Sequence, residues 1–417
     1  MVIMHIDANS AYLSWTAVNL LESGYPLDVR KVPSVIAGDP NNRHGIILAK
    51  SIPAKKFGIK TGESLFEAKQ KCNELLVFPP NYDLYLLCSD AMFSILSEYS
   101  PKIQRYSVDE CFLDFTNSLK RFGNAVAIAY EMKERIKEEL GFTVNIGVSC
   151  NKVLAKMASE LKKPDQVHTL FPEEIPAKMW PLSVEELFMV GKATSKKLRR
   201  ININTIGDLA KADPIHMKAL LKSHGEMVWR FANGMDESPV VLNSDVIQKG
   251  VGNSTTIAYD VTTQREAHMV LLALCERTAM RLRKLRKKAS LISISVKSHT
   301  FIRYSHQIQL YDFLDSTMDI YHYACLLFDE SWKGEGVRQI GVSVSNFGEM
   351  NHEQLSMFSN DRAKIEKNSC LDQTLDQIRS RFGERSIVRG SFANGNVDPI
   401  QGGVNDGNYL MMGGYKQ

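Results

Sequence analysis

The chain has 417 residues, 44% of them hydrophobic, and carries 51 Lys and Arg against 47 Asp and Glu for a formal net charge of +4. That length points to three or four domains rather than one, and the apolar content excludes wholesale disorder. Seven cysteines with no CxxC pair argue against a disulfide framework or a zinc site, and fit a reducing, intracellular compartment. No apolar run reaches the length of a membrane span, and the start MVIMHID lacks the features of a signal peptide, so a cytoplasmic protein without a membrane partner is expected.

Taken in order, Val2 to Asp7 predicts a buried strand ending in an acid, and Ala11 to Leu21 a helix. A carboxylate at the end of a central strand, just before a helix, is a frequent catalytic position in α/β sheets. Residues 22–79 change character, with short strands at Val35-Ile36 and Ile46 to Leu48, a Lys-rich turn from Lys50 to Lys60, and an amphipathic helix from Ser64 to Cys72. They read as a small inserted subdomain. A helix from Tyr85 to Tyr99 then leads into Tyr106-Ser107-Val108-Asp109-Glu110-Cys111-Phe112-Leu113-Asp114. Neighbouring side chains on a strand face opposite ways, so Asp109 and Glu110 share one site only if the chain turns there. A tight hairpin with both acids exposed at its tip is the expectation. A helix from Arg121 to Leu140 and a strand from Phe142 to Val148 complete a split βαβ, ferredoxin-like order, which lets Asp7 meet Asp109 and Glu110.

Asn151 to Leu161 is helical and ends in Lys162-Lys163-Pro164. Residues 172–234 form a basic helical region, in which Phe188 to Ala193, Lys196 to Arg200 and Asn204 to Leu209 resemble a helix-hairpin-helix. That motif holds the DNA backbone through main-chain N–H groups at a helix N-terminus. Ala193 and Asn202 stand where the pattern usually has glycine, and Asn tolerates the left-handed conformation. After a polar linker comes a second βαββαβ-like unit, whose first helix, expected over Arg265 to Lys288, turns an apolar face to its sheet. Nine Lys and Arg lie between Glu276 and Arg303 with no acid beyond Glu276, a basic surface that attracts phosphate. Arg277, Arg281, Lys284 and Lys288 form its polar stripe. The tail holds Gln354-Leu355-Ser356-Met357-Phe358, a charged helix from Asp361 to Phe382, and a last 28 residues with seven glycines, where little fixed structure is expected.

These segments, in this order over about residues 1 to 390, resemble the Y-family (translesion) DNA polymerases. The resemblance rests on His5 to Tyr12, Ala54 to Gly62, Ser107 to Cys111, Gly147 to Lys152 with its sequel to Pro164, and Gly252 to Thr256. Asp7-x-Asn9, Lys55 and the pattern after Leu371 look closer to the UmuC-like branch than to DinB. The resemblance implies an α+β multidomain right-hand polymerase. Its parts would be a ferredoxin-like palm (1–21 and 80–165), small fingers (22–79), a helical thumb with the helix-hairpin-helix (166–235), a linker (236–250), a little finger (251–348) and a tail (349–417).

It further implies template-directed, Mg²⁺-dependent DNA synthesis past damaged bases, error-prone and of the SOS damage-tolerance type. By resemblance, Asp7 and Asp109 bridge two Mg²⁺ ions (with Mn²⁺ as a substitute), Glu110 supports the ion near the primer 3′-OH, and the Ala8 carbonyl completes one shell. Tyr12 aligns with the steric gate that excludes a ribose 2′-OH. Lys55 and Lys163 match positions that hold the triphosphate, while Ala49 and Ile52 replace the usual Thr and Tyr and leave Ser51 as a substitute. Gly191 and Lys192 fall on the helix-hairpin-helix. Since the family docks the sheet of its last domain on DNA, Lys249, Lys297, His299 and Arg303 become the phosphate contacts and the helix stripe a solvated face. Gln354, Leu355 and Phe358 resemble a bacterial sliding-clamp-binding peptide. Implied partners are primer-template DNA, dNTPs, the clamp and accessory proteins of UmuD-like or recombinase type, for a monomeric enzyme. Two alternatives stay open at this point: another two-metal enzyme on a ferredoxin-like core, such as a nucleotide cyclase, and a non-enzymatic clamp- and DNA-binding accessory.

Overall fold

The computed structural model describes residues 1–43, 45–349 and 362–393. They form two compact units, one of Met1–Gly38 with Ile46–Val246, the other of Asp39–Gly45 with the described part of Ile247–Asn408. Among the described residues no helix is long and apolar enough to cross a membrane.

The first unit contains β1 (Ile3–Ala8), β2 (Ser34–Ala37), β3 (Ile47–Lys50), β4 (Leu76–Phe78), β5 (Ile103–Arg105), β6 (Glu110–Asp114), β7 (Val144–Ser149) and β8 (Val167–Thr169). They make a five-stranded sheet in the order β5-β6-β1-β7-β8 and a small one in the order β3-β2-β4. The larger sheet keeps the expected strand, helix, hairpin, helix, strand order and adds β8, three residues long and too short to show a pattern in sequence. β1 is central and antiparallel to both β6 and β7. Its alternation decides what lies where. Met4, Ile6 and Ala8, with Cys111 and Leu113 of β6, turn to a core they share with Met92 and Leu96 of the helix Tyr82–Ser97 and with Met132 and Ile136 of the helix Ala125–Leu140. Burying each of the Met, Ile and Leu side chains contributes about 1.5–3 kcal/mol. The other face carries Ile3, His5 and Asp7 and is covered by the helix Lys152–Glu160. Gly147 lies opposite His5 in register. A Cβ there would sit 1.9 Å from the Ala155 carbonyl oxygen, so the missing side chain is what lets this helix rest on the strand backbone.

Beyond β8 the first unit is helical. The helices Lys192–Arg199 and Ile206–Lys211 flank a turn in which Asn202 has φ of 62°, and Thr205 caps the second of them through a reciprocal pair with Asp208. Leu198, Ile206 and Leu209 pack with Val153 and Leu154 in one core. The polar stretch that follows is bonded to this unit over its first part. Asn151 Nδ2 donates to the Gly234 carbonyl at 2.8 Å, Lys152 Nζ to that of Pro239 at 2.9 Å, and the Val241 N–H to Gln104 Oε1 at 3.2 Å.

The second unit is built on β9 (Gly250–Val261), β10 (Lys287–Ser298), β11 (Arg303–Leu314) and β12 (Val337–Glu349), antiparallel in the order β11-β10-β12-β9. With the helices Gln264–Lys284 and Thr317–Ser331 the chain order is βαββαβ, as expected. Ile292, Ile294 and Val296 of β10 pack into the core with Leu271, Leu274 and Phe328 of the helices. Ser293, Ser295 and Lys297 alternate with them on the opposite face. The first helix stops at Lys284, and Lys287 and Lys288 already belong to β10.

Of the basic stripe expected to be a solvated face, Lys284 is exposed but Arg277 is not. Arg277 is only 7% exposed and pairs with Glu384 at 3.2 Å. Its neighbour Arg283 holds Asp376 through two bonds, of 2.6 and 3.0 Å, and lies 3.2 Å from Asp372. Glu276 takes Arg379 at 2.6 Å and also Arg389. All these partners come from the chain's later part, where the helix Arg362–Phe382 and the turn Gly390–Phe392 follow one another. Periodicity tells which face of a helix avoids the sheet, but not whether another segment covers it. Phe392 is buried in the core, so fixed structure reaches into the glycine-rich stretch. Gln354 to Phe358, and residues 394–417, lie outside the described residues.

Candidate active site

Asp7 of β1 stands directly opposite Glu110 of β6, so their side chains leave the sheet on one face. Asp109 precedes β6 in the turn, and its carbonyl accepts the Ala8 N–H at 2.9 Å. The fold thus draws Asp7, Ala8, Asp109 and Glu110 together. The hairpin differs from the exposed tip expected: Glu110 begins β6 and is 8% exposed, and Asp109 is half-buried. Pairing with β1 is what takes the second acid inward.

Each carboxylate has its own partner. Lys163 Nζ lies 2.8 Å from Asp7 Oδ1 and 3.0 Å from Glu160. Ser107 Oγ donates to Asp109 Oδ1 at 2.5 Å. Lys156 Nζ lies 2.5 Å from Glu110 Oε2, and His5 Nε2 is 3.2 Å from the same oxygen, though not aligned as a straight hydrogen bond. Burial raises Asp7 above the ordinary carboxylate range, with Lys163 opposing. Burial raises Asp109 too, against the Ser107 hydrogen bond and with the added repulsion of Glu110. Burial also acts against ionised Glu110, but the His5 contact and the Lys156 charge outweigh it and bring the carboxyl down to about 2. Burial keeps His5 neutral by lowering its pKa.

Among the described residues no three acidic, histidine or cysteine side chains are gathered into a ready metal cage. The donor set nevertheless fits hard divalent cations, which take carboxylate and carbonyl oxygens. Three carboxylates face two ammonium groups, one of which is shared with Glu160. Asp7 Oδ2 and Glu110 Oε1 have no hydrogen-bond partner among the described residues. The surplus negative charge and those free oxygens are what a cation would meet.

Residues 6–160 match the model of the impB/mucB/samB family, and residues 248–357 that of the impB/mucB/samB family C-terminal domain. Over 388 residues the chain is 50% identical to the DNA polymerase IV of Clostridium acetobutylicum, covering 93% of this chain and 97% of that one. The DNA polymerase IV of Acetivibrio thermocellus is 38% identical over 392 residues, covering 93% and 96%. In fold, the chain is similar to a Y-family DNA polymerase chimera of Dbh and Dpo4, with a TM-score of 0.71 at 20% identity over 84% of this chain and 100% of that one. An insertion ternary complex of Dbh DNA polymerase gives 0.57 at 21% identity, over 84% and 100%. This chain belongs to the impB/mucB/samB family, the Y-family DNA polymerases. The relatives named here are called DNA polymerase IV and not UmuC, so the expected nearness to the UmuC-like branch gains nothing from them.

In this Y-family polymerase Tyr12 follows directly on the acidic cluster. It stacks on Tyr85 with ring centroids 4.4 Å apart and planes 6° from parallel, and Tyr82 meets it edge-on at 6.2 Å. Tyr85 is itself fixed by a 3.0 Å bond between its hydroxyl and Thr16. Lys55 stands exposed on the short helix Ile52–Lys56. Ser51 is no stand-in for a triphosphate contact. It is 2% exposed, donates to the Val32 carbonyl, and accepts from the Ser34 and Ala54 N–H groups.

Gly191 is the N-cap of the helix Lys192–Arg199. Its φ of −86° suits any residue and a Cβ would meet nothing within 4 Å, so the open space before this helix end is not needed for packing. In the second unit Lys297 pairs with Arg303 across β10 and β11. Lys297 and Arg338 both lie over the Phe301 ring, at 4.4 and 5.0 Å. Lys249 is exposed just before β9. Sequence reasoning missed His5 and Lys156. Both lie inside motifs quoted for the family, and Lys156 left one signal: a lysine one turn after Lys152, set among the apolar residues Val153 to Ala158.

Proposed function

We propose that this DNA-directed DNA polymerase performs Mg²⁺-dependent, error-prone translesion synthesis in damage tolerance, as a cytoplasmic monomer with Asp7, Asp109 and Glu110 as its catalytic carboxylates. One observation carries the assignment: Asp7 opposite Glu110 across β1 and β6, with the Asp109 carbonyl bonded to Ala8 N. The relatives' name supports the polymerase reading. A nucleotide cyclase gains no support from relatives of that name, and the intact acid set speaks against a non-enzymatic accessory.

Two bound Mg²⁺ ions would activate the primer 3′-OH and neutralise charge on the triphosphate. Asp7, Asp109, Glu110 and the Ala8 carbonyl would hold them, and Mn²⁺ suits the same oxygens. Lys163, now on Asp7, is a point charge for the triphosphate that moves with little reorganisation, and Lys55 is a second. The Tyr12 ring, fixed by its stack on Tyr85, is the wall against a ribose 2′-OH. Gly191 and Lys192, together with Lys249, Lys297 and Arg303, serve the DNA backbone, contacts that position a duplex without reading sequence. The parts are a palm (1–21 and 80–165), fingers (22–79), a thumb (166–235), a linker (236–250) and a little finger (251–348). Gln354, Leu355 and Phe358 would dock on a sliding clamp, whose tether raises the effective concentration at primer ends.

The test is primer extension with Mg²⁺ and Asp109→Ala. We expect extension to fall to background while the variant still binds primer-template DNA. Extension at the wild-type rate would remove the site assignment.

A further inference from the structure

The lysine on Glu110 is built in more deeply than the one on Asp7. Lys163 sits in a turn after the helix and shares its charge with Glu160. Lys156 projects from the helix Lys152–Glu160, its side chain only 13% exposed. Its Nζ lies 5.3 Å from the Tyr106 ring centroid and 5.4 Å from that of Phe188. Tyr106 and Phe188 meet edge to face at 6.1 Å, and Phe188 stacks on Phe231 at 6.2 Å. Rings on two sides attract the ammonium group through their faces and leave it one direction to point, toward Glu110 Oε2.

Glu110 is fixed from below as well. His5, fully buried, lies 3.2 Å from that same oxygen, and its Nδ1 is 2.7 Å from Ser159 Oγ. Ser159 stands three residues after Lys156 on the helix, so the strand and the helix converge on one carboxylate oxygen. Ser159 Oγ also donates to the Lys156 carbonyl at 2.8 Å, which ties the imidazole's partner to the residue that carries the ammonium group. Glu110 Oε1 has no hydrogen-bond partner among the described residues.

We propose that Lys156 is the positioning residue of Glu110, a resident cation caged by Tyr106 and Phe188 that pins Oε2 so that Oε1 alone is presented to the site. This rests on the reading of Glu110 as a metal-binding carboxylate. A fixed orientation favours the reaction, because a carboxylate held in one rotamer needs no rearrangement when substrate arrives. The same charge opposes any cation that binds beside it. Lys156 therefore trades resting cation affinity for orientation, and Phe188, in the helix-hairpin-helix segment, ties that orientation to the region proposed to hold the DNA backbone.

The two effects have opposite signs when the charge is removed. Lys156→Met keeps the chain's reach between the rings, and Lys156→Gln also keeps a donor. In the full-length protein without DNA or nucleotide, free Mn²⁺ read by electron paramagnetic resonance should show binding tightened about fivefold or more in both variants. Single-nucleotide insertion should slow by about tenfold or more, with KM for the dNTP within about twofold of wild type. Insertion at the wild-type rate, or Mn²⁺ binding unchanged or weakened, overturns the proposal. Should either single variant fold poorly, Lys156→Met combined with Glu110→Gln removes both charges. Its insertion rate should match that of Glu110→Gln alone, and an additive loss overturns the proposal. Glu110→Gln alone separates the two readings. If it leaves Mn²⁺ binding and insertion unchanged, the assignment of Glu110 fails. If it alters them while the Lys156 variants behave as wild type, only the role of Lys156 fails.

Discussion

Two regions of this chain bury acids beside basic side chains, and they are finished differently. In the second unit, among the described residues, Glu276, Asp372, Asp376 and Glu384 meet Arg277, Arg283, Arg379 and Arg389, four charges of each sign. In the first unit, among the described residues, Asp7, Asp109 and Glu110 meet two ammonium groups, Lys156 and Lys163, and Lys163 is shared. The type of base differs along with the number. Arginine offers a planar fork that binds a carboxylate bidentately, as Arg283 does on Asp376, whereas lysine is a point charge that holds one oxygen and leaves the other open. A balanced network of forks holds one segment on another. An unbalanced set of acids under point charges waits for a ligand.

The balanced network should be the harder one to break. Arg283→Met would leave Asp372 and Asp376 without their main partner in a largely buried place, and removing one member of a buried pair costs about 3–5 kcal/mol. The readout is unfolding of the second unit, followed by fluorescence of Trp332, together with hydrogen exchange of the helix Arg362–Phe382, which should quicken. A change below about 0.5 kcal/mol, as for an ordinary surface substitution, would mean that the network does not hold the segment. The contrast with the first unit would then collapse.

The acid limb sharpens the comparison from the other side. Glu110 titrates near 2 in the folded protein against an ordinary value of 4.5. Ionised Glu110 therefore stabilises the fold above pH 4.5, and that contribution is lost as pH falls through the folded value. A shift of that size is worth about 3 kcal/mol. Comparing urea unfolding of the wild type with that of Glu110→Gln, we expect the wild-type advantage to be full at pH 7 and to shrink below pH 4.5. An advantage that does not vary with pH would mean that Lys156 and His5 do not stabilise the ionised carboxylate.

Much of this was legible in the residues. The stretch Val2 to Asp7 read as a buried strand ending in an acid, and the order of helices and hairpins gave the ferredoxin-like layout that brings Asp7 to Asp109. What stayed hidden had one physical cause: partners remote in sequence. Glu110 looked like a second exposed acid because its burial depends on pairing with β1. Lys156 drew no notice because Tyr106 and Glu110 of the hairpin and Phe188 of the later helical region reach it from two other segments. Arg277 looked solvated because the segment that buries it begins some 85 residues later. Local pattern fixes elements and faces, while the covering of a face is a tertiary fact. Gly147 was quoted only as part of a motif, yet its missing side chain is what sets the helix bearing Lys156 on the sheet.

The smallest effect has the opposite sign to the others. Asp7 and Asp109 have folded values raised by burial above the ordinary 3.8. Their protonated forms suit the fold better, so the stability they contribute is present below the unfolded value and is lost as pH rises through the folded one. At neutral pH and without a cation the site is therefore a strained part of the first unit, as active sites with surplus charge commonly are. Asp7→Asn or Asp109→Asn should relieve that strain and stabilise the metal-free protein by about 0.5–2 kcal/mol at pH 7, while abolishing insertion. The gain should vanish near pH 3, where the aspartates are protonated in both states. Hydrogen exchange across β1 and β6 in the presence of a chelator would report it locally. Destabilisation at pH 7 would show that Lys163 and Ser107 already satisfy these acids, and the open site would then be as closed as the arginine network.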